Sequence, residues 1–408
     1  MGVSRIFLGN FNFEHELAPA PHGGTDRAAH IAGSDRDWAW VAIAKRDDIV
    51  LTESQFAAVD FSELAELGLP IPHFVAFADE TFPIHNGQLV SWGWTESVRA
   101  IGNSRGWECV GPPIDVVRQV NSRAFRYGVE CEWNIGLAGS AVARSLDELE
   151  AVVQRNGDTP RGWLLKANFG MSGREARRGR GTRLDDNTRN WALRRLQISG
   201  PIVFEPIVER VAEAGIQIDI PQSREPELVG VTPLLIDRSG VYRGSRFACP
   251  TSQIAGREME SWQAAVDFGL RLANRLQALG YFGPLGVDAM KYRDETGEIR
   301  LRPLQDINAR YTMGRLALGF RRILPVGWCG SWLHYSAKHL TGRSIGDWIN
   351  GLQFALPGEL RLVRASQRQT GSQSPEHHAV LVLAPTVEML KQGESAVFDS
   401  LGINVDVP

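Results

Sequence analysis

Four polar residues near position 300 have the types and the spacing needed to bind a metal ion and a phosphate group. Asp306, Asn308 and Arg310 alternate along one segment, so on a β-strand their side chains share one face. Asp288 lies in the preceding apolar run and joins them if the two runs pair as a hairpin. Oxygen ligands without a neighbouring His or Cys favour Mg²⁺, and a guanidinium favours a phosphate oxygen. The alternative is a solvated hairpin whose alternating charges face water.

The turn between the two strands determines whether these oxygens converge. Residues 294–297 predict a three-residue hairpin loop with Gly297 in the left-handed conformation. In that register Asp288 lies opposite Leu304 and diagonal to Asp306. A shift of one residue would turn Asp288 to the other face of the hairpin. We therefore expect the ligands to converge only if Gly297 forms the bulge.

A lysine followed by a glycine-rich loop is the second candidate phosphate site. Lys166 ends a predicted strand at 162–166, and the following loop contains Gly170, Ser172 and Gly173. Backbone N–H groups of such loops can surround phosphate oxygens, and the lysine adds a positive charge. Because the lysine precedes the glycines, this is not the G-x-x-x-x-G-K-[ST] motif. The alternatives are an ordinary surface loop and an RNA-contacting arginine patch at 174–183, although nearby aromatic residues for base stacking are few.

Two acidic residues further along the chain could contact a nucleoside. An apolar strand at 201–205 ends in Glu205, which is the kind of segment that an adenine pocket needs. Glu213, eight positions on, could accept hydrogen bonds from ribose hydroxyls. Acidic residues at a strand end are also commonly solvated, so this segment alone does not decide between the two interpretations.

Length and composition limit the class of protein. The chain has 408 residues, 43% of them hydrophobic, and a formal net charge of -3. This length favours two or three domains, and the charge argues against bulk nucleic-acid binding. No apolar run approaches the ~20 residues of a membrane span, and the N-terminus lacks a signal-peptide pattern, so we expect a cytoplasmic protein. Without any C-x-x-C pair, we interpret the cysteines as reduced and mostly buried: Cys109, Cys131, Cys249 and Cys329.

Short apolar runs that alternate with helical patterns predict an α/β N-terminal region. Its strands are predicted at 5–9, 38–44 and 73–77, and its helices at 53–67 and 96–104. Residues 10–15 follow the first strand, where open α/β sheets tend to bind ligands. We interpret them as a structural turn, with a substrate contact as the alternative.

The remaining chain predicts an α+β arrangement. A capping box at 145–148 predicts the start of one helix. The other helices are predicted at 114–127, 186–196, 258–279, 316–324 and 332–340. Antiparallel strands are predicted at 215–220, 227–236 and 241–248, with a last strand at 378–383. We assign no chemistry to the residues after 349, and we interpret His377 and His378 as a surface pair.

The order of these features resembles the ATP-grasp superfamily. Its members usually activate a carboxylate as an acyl phosphate and couple it to an amine or another nucleophile. The resemblance covers roughly residues 115–345 and rests on Arg123, Lys166 with its glycine-rich loop, the strand that ends in Glu205, Asp288, and Asp306-x-Asn308-x-Arg310.

The resemblance implies an α/β and α+β fold in which two α+β subdomains clasp ATP behind an N-terminal Rossmann-like domain. The expected bounds are 1–112 for the N-terminal α/β domain and 113–210 for the small subdomain with its glycine-rich lid. The large subdomain with the Mg²⁺ site is expected at 211–345, and a C-terminal extension at 346–408.

The resemblance also implies a role for individual residues. The implied ATP contacts are Arg123, Lys166, Gly170, Ser172, Gly173, Glu205, Val208, Glu213 and Arg310, with Glu205 and Val208 at adenine and Glu213 at ribose. The implied metal ligands are Asp288, Asp306 and Asn308, for Mg²⁺ or alternatively Mn²⁺. Lys166, Arg310 and Arg315 are the implied catalytic residues, with Arg315 at the substrate carboxylate. Two departures stand out: Asp306 replaces the more usual Glu, and Arg123 replaces a Lys.

The function implied by the resemblance is that of an ATP-dependent carboxylate–amine ligase. Its expected partners are a small carboxylate and an amine, without a membrane or a nucleic acid, and a homodimer remains open. A phosphotransferase on the same fold and a non-catalytic ATP-binding protein are the alternatives.

Overall fold

The computed structural model of the chain describes residues 4–18, 35–52, 58–79, 87–170, 175–367 and 376–405. Its first elements are β1 (Arg5–Leu8), α1 (Phe13–Leu17), β2 (Ile49–Thr52), α2 (Ser62–Glu66), β3 (His73–Ala76), β4 (Gln88–Ser91) and α3 (Glu96–Ser104). The four strands form a parallel sheet in the order β3-β2-β1-β4. The predicted strands at 5–9 and 73–77 and the helix at 96–104 are therefore confirmed.

Two other predictions for this region are wrong. Asp37–Ala42 is a 3₁₀-helix instead of a strand, and all six of its residues are buried. Burial on every side produces an apolar run that periodicity cannot assign to a helix or a strand. In place of the predicted helix at 53–67, the structure has a 3₁₀-helix at Ala58–Phe61 followed by α2, and 53–57 lie outside the described residues.

The second part of the chain forms a small antiparallel sheet. Its elements are α4 (Ile114–Val120), α5 (Arg123–Trp133), β5 (Ala141–Ala143), α6 (Leu146–Asn156), β6 (Trp163–Ala167), β7 (Ala176–Gly179), α7 (Asp186–Ser199) and β8 (Ile202–Pro206). The strand order is β5-β8-β6-β7. The predicted helix at 114–127 is divided, because Ser122 caps α5 by accepting a hydrogen bond from the Phe125 N–H at 3.1 Å.

The third part forms an eight-stranded antiparallel sheet. Its elements are β9 (Glu209–Ile220), β10 (Glu227–Ile236), β11 (Tyr242–Ala248), α8 (Gln253–Ser261), α9 (Gln263–Ala278), β12 (Gly283–Arg293), β13 (Ile299–Asn308), α10 (Met313–Gly319), β14 (Cys329–Ser336), α11 (Ile345–Ala355), β15 (Arg361–Arg364), β16 (His377–Ala384) and α12 (Val387–Ser400). The strand order is β13-β12-β9-β10-β11-β14-β16-β15. Strands on both sides of position 345 belong to this sheet, and the predicted domain bounds stay predictions.

Four predictions for this part need correction. Residues 332–340 form β14 and a 3₁₀-helix at Ala337–Leu340 instead of a helix, because the centre of the sheet buries β14 on both faces. The predicted helix at 258–279 is two helices that meet at Trp262. His378 is 2% exposed, so it is not a surface residue. The free cysteines are also less buried than expected, since only Cys329 is buried.

The hydrophobic cores show how the parts are joined. One core combines residues of the N-terminal region, such as Phe7 and Trp40, with Ile216 and Leu304 of the eight-stranded sheet. The small sheet has a core of its own around Trp163 and Phe204. Among the described residues, no helix is long and apolar enough to cross a membrane.

Candidate functional site

The β12–β13 hairpin brings the two predicted carboxylate ligands together. Asp288 pairs directly with Asp306, and Gly286 pairs with Asn308. Gly297 has a φ of +87°, which confirms the predicted left-handed turn residue. The side chains of Asp288, Asp306 and Asn308 therefore lie on one side of the hairpin.

The register of the hairpin differs from the prediction at one point. Nearer the turn Met290 pairs with Arg302, and at the site Asp288 pairs with Asp306. These two pairs are two residues apart on β12 but four residues apart on β13. Pro303 lies in this irregular stretch and has no N–H for the strand pairing. The expectation that Asp288 lies opposite Leu304 is therefore wrong. Because the shift is an even number of residues, Asp288 keeps its face.

A chain of hydrogen bonds runs from the hairpin to the N-terminal region. Asn308 Nδ2 donates to Asp288 Oδ2 at 3.1 Å, and Arg310 Nη2 donates to Asn308 Oδ1 at 3.0 Å. Arg310 Nε donates to Glu14 Oε1 at 2.7 Å, and its guanidinium carbon lies 5.3 Å from the Trp92 ring centroid. The side chain of Arg310 is thus held by both the amide and the N-terminal region.

The electrostatics of the carboxylate pair favour a bound cation. Burial and, after it, the negative charge of Asp306 together raise the pKa of Asp288 to about 7. Burial also opposes ionisation of Asp306, but Arg123 and Lys166 lower its pKa. No group of three or more His, Cys, Asp or Glu side chains suited to a metal occurs in the described ranges. Two carboxylates and an amide nevertheless fit Mg²⁺, which completes its shell with water and phosphate oxygens.

A cavity of about 570 Å³ opens over this hairpin. The predicted site residues that line it are Arg123, Lys166, Gly170, Glu213, Asp288, Asp306, Asn308 and Arg310. Six cationic side chains line it in total: Arg36, Arg123, Lys166, Arg178, Arg210 and Arg310. Because only four acidic side chains accompany them, the cavity suits a polyanion.

Arg123 and Lys166 enter the cavity from the small sheet and its preceding helix. Arg123 donates to the carbonyl oxygens of Ala167 at 2.7 Å and Gly170 at 3.0 Å, at the base of the glycine-rich loop. Lys166 Nζ lies 2.8 Å from Glu205 Oε2. Burial lowers the pKa of Lys166, and Glu205 opposes this shift. Although burial favours the neutral acid, Arg302, Lys166 and Arg126 hold the pKa of Glu205 well below its usual range.

Solved structures share this fold. An N5-carboxyaminoimidazole ribonucleotide synthetase in complex with ADP has a TM-score of 0.55 and 13% identity, and the match covers 98% of each chain. The biotin carboxylase domain of Hydrogenobacter thermophilus 2-oxoglutarate carboxylase, in complex with MgADP, ADP and bicarbonate, has a TM-score of 0.55 and 11% identity, over 100% of this chain and 91% of that one. The chain has the ATP-grasp fold. The predicted fold class is thereby confirmed.

One curated relative is similar to part of this chain. The [butirosin acyl-carrier protein]–L-glutamate ligase of Niallia circulans is 30% identical over 154 residues. These residues are 36% of this chain and 33% of the relative, so the match spans about a third of the length of each protein. No family model matches the chain.

The cavity over the hairpin does not contain every predicted site residue. Glu205, Val208 and Arg315 do not line it. Arg315 Nη2 instead donates to Asp219 Oδ2 at 2.7 Å. Ser172 and Gly173 lie outside the described residues. The roles predicted for all of these residues stay predictions.

Other residues that line or support the cavity were not found from the sequence. Phe11 lines the cavity and Glu14 holds Arg310, although we interpreted residues 10–15 as a structural turn. Their position directly after β1 was the available signal, since ligands bind at that end of open α/β sheets. Arg126 and Arg302, which bind Glu205, carry no signal in the sequence because their partners are distant in the chain.

Proposed function

We propose that the protein is an ATP-dependent carboxylate–amine ligase that forms a C–N bond through an acyl phosphate. The observation that carries the proposal is the Asp288–Asp306 pair in a cavity where six cationic side chains outnumber four acidic ones. The two carboxylates can bind a divalent cation, and the surrounding arginines and lysine can bind a polyphosphate. The similarity to an acyl-carrier protein–glutamate ligase supports a ligation over other uses of ATP.

The cation site is expected to hold Mg²⁺ through Asp288, Asp306 and Asn308, with Mn²⁺ as the alternative. When bound, the metal would neutralise charge on the ATP phosphates. Glu213 is buried beside Arg210, which donates a hydrogen bond to it at 3.4 Å. Burial raises the pKa of Glu213. We assign Glu213 to the ribose hydroxyls.

The chain's own cations would stabilise the group in transfer. A carboxylate oxygen of the acid attacks the γ-phosphorus, and ADP leaves. Lys166 and Arg310 lie on the cavity wall, where their charges can stabilise the three γ-phosphoryl oxygens. The glycine-rich lid that the resemblance implies would exclude water, so that the acyl phosphate reacts with the amine. The amine then attacks the acyl carbon, phosphate leaves, and the amine loses a proton.

The finer expectations belong to the same proposal. The substrates are a small carboxylate and an amine, the location is cytoplasmic, and neither a membrane nor a nucleic acid is a partner. A homodimer is also proposed, and the dimeric biotin carboxylase domain among the similar structures supports it.

Incubation with Mg²⁺ and ATP tests the proposal. Pools of carboxylates and amino acids are added, and ADP and products are measured by mass spectrometry. ADP with a condensed product is the expected result. A phosphorylated product without condensation would instead indicate a phosphotransferase, and ATP binding without turnover on any pool would indicate a non-catalytic protein.

A further inference from the structure

Five charged side chains form a buried network that ends at the cavity. Arg126 and Glu130 lie one turn apart on α5, Arg302 lies on β13, Glu205 on β8 and Lys166 on β6. Arg126, Glu130 and Arg302 are each 1% exposed, and Glu205 is 4% exposed. The network therefore connects the small sheet to the strand that carries Asp306 and Asn308.

Glu205 is the centre of this network. Its Oε1 accepts hydrogen bonds from Arg126 Nη2 at 2.7 Å and from Arg302 Nη2 at 2.8 Å. Its Oε2 lies 2.8 Å from Lys166 Nζ. Glu130 forms an ion pair with Arg126, and it accepts from Arg302 Nε at 2.7 Å and from Arg302 Nη2 at 3.1 Å. Each carboxylate thus has at least two cationic partners.

The charges of the network do not cancel. Three cations surround two carboxylates, which leaves an excess of one positive charge, and of the three cations only Lys166 lines the cavity. Burying ion pairs costs solvation energy, and apolar residues of similar volume often stabilise a core as well or better. The free energy of unfolding therefore gives no reason for five buried charges here. An anion in the cavity would balance the excess charge.

We propose that Arg302 and Glu130 are positioning residues for nucleotide phosphates. They fix Glu205, and Glu205 holds the Lys166 ammonium at the cavity wall. Arg302 precedes Asp306 by four residues on β13, so one strand orients both Asp306 and the anchor of the lysine. This inference rests on the nucleotide site proposed above.

A charge-neutral double substitution tests the role. Arg302→Met combined with Glu130→Met removes one charge of each sign and keeps long, apolar side chains in the core. We expect a folded protein whose Kd for ATP with Mg²⁺, measured by calorimetry, rises about tenfold. The Kd for adenosine, measured by competition, should change less than about twofold because adenosine has no phosphates for Lys166.

A second background separates positioning from structural damage. In a Lys166→Met protein, the same double substitution should have little further effect on the Kd for ATP, because the network acts through Lys166. Arg302→Lys, which keeps the charge but cannot bind both carboxylates through a fork, provides an independent single variant. Arg302→Lys should also raise the Kd for ATP.

A distant buried ion pair provides the matched control. Arg246 Nη2 on β11 lies 2.6 Å from Glu394 Oε2 on α12. Arg246→Met with Glu394→Met should shift thermal stability without changing the Kd for ATP. The inference is overturned if the network variants bind ATP as tightly as the wild type, or if their Kd for adenosine rises as much as their Kd for ATP. It is also overturned if the double substitution raises the Kd for ATP by the same factor in the Lys166→Met protein as in the wild type. If the wild type itself binds no ATP, the proposed function fails as well.

Discussion

Arg123 Nη2 donates a hydrogen bond to Asp306 Oδ2 at 3.3 Å, although the two residues lie 183 positions apart in the chain. The same guanidinium donates to the carbonyl oxygens of Ala167 and Gly170. One side chain therefore connects a predicted metal ligand to the base of the glycine-rich loop. A lysine at this position would offer a single compact charge, whereas the planar guanidinium reaches all three acceptors at once.

Replacing Arg123 should weaken nucleotide binding, and the effect should grow with the number of hydrogen bonds that the new side chain cannot form. We expect Arg123→Lys to raise the KM for ATP several-fold and Arg123→Met to raise it about tenfold or more, with the fold retained. Steady-state kinetics at saturating Mg²⁺ measure both values. Arg118→Lys, in an exposed pair 3.9 Å from Glu96, is the control and should leave KM unchanged. An Arg123→Lys enzyme with wild-type KM would contradict the role of the fork.

Replacing Asp288 should change stability and activity in opposite directions. Burial and the neighbouring Asp306 both oppose its charge, so Asp288→Asn should stabilise the metal-free protein by about 1 kcal/mol or more. Turnover should fall about a hundredfold or more, because a metal ligand is lost. Thermal unfolding with and without Mg²⁺ and ATP, together with ADP release, measures both effects. Asp267→Asn, at an exposed carboxylate bound to Gln263, should change neither quantity. Full activity in the Asp288→Asn enzyme would refute the assignment of the metal site.

His334 should make stability depend on pH. Burial, with the positive charges of Arg36 and His377, lowers the pKa of His334 to about 3, against about 6.5 in the unfolded chain. The unfolded state therefore binds the proton first as the pH falls below 6.5, and the folded state loses stability. Between pH 7 and pH 5 this loss amounts to at most about 2 kcal/mol from this one residue. Denaturant unfolding should show a shallower dependence on pH for His334→Gln than for the wild type. His73→Gln, at an exposed histidine, should show the same dependence of stability on pH as the wild type. If His334→Gln also shows the wild-type dependence, the prediction is wrong.

Two glycines in helices should respond oppositely to the same substitution. A Cβ on Gly319, at the end of α10, would lie 2.1 Å from the backbone oxygen of Ala42 in the N-terminal region. Gly319→Ala should therefore destabilise the protein by about 1–3 kcal/mol, because backbone must move. A Cβ on Gly351 of α11 meets nothing within 4 Å, so Gly351→Ala should stabilise by about 0.5–1 kcal/mol. Chemical denaturation measures both, and a stabilised Gly319→Ala protein would contradict the packing of α10 against residues 37–42.

Several features of the fold and of the site could be predicted because they depend on neighbouring residues. Alternation along β13 places Asp306 and Asn308 on one face whatever surrounds the strand. Gly297 adopts its positive φ for local steric reasons. Ser145 caps α6 by accepting from the Glu148 N–H at 3.2 Å, as its spacing predicts. For these features the physical cause lies within a few residues of the chain.

Fully buried elements were harder to predict than amphipathic ones. Neither the 3₁₀-helix Asp37–Ala42 nor the strand β14 shows a clear period, since packing surrounds them. Their type follows from the sheet that they join and not from their own composition. The division of the predicted helix at 258–279, at the buried Trp262, likewise depends on where each segment packs.

The sequence by itself determined which residue types face the cavity along β13 and around Lys166, and it indicated the order of features that resembles the ATP-grasp superfamily. Only the tertiary structure decided the partners of those residues. It placed Glu14 on Arg310, Arg123 on Asp306, and Arg302 on Glu205, and it shifted the hairpin so that Asp288 faces Asp306. The reason is physical: periodicity and caps are set by adjacent residues, whereas the pairing of buried charges depends on how distant strands pack, and many pairings satisfy the same local pattern.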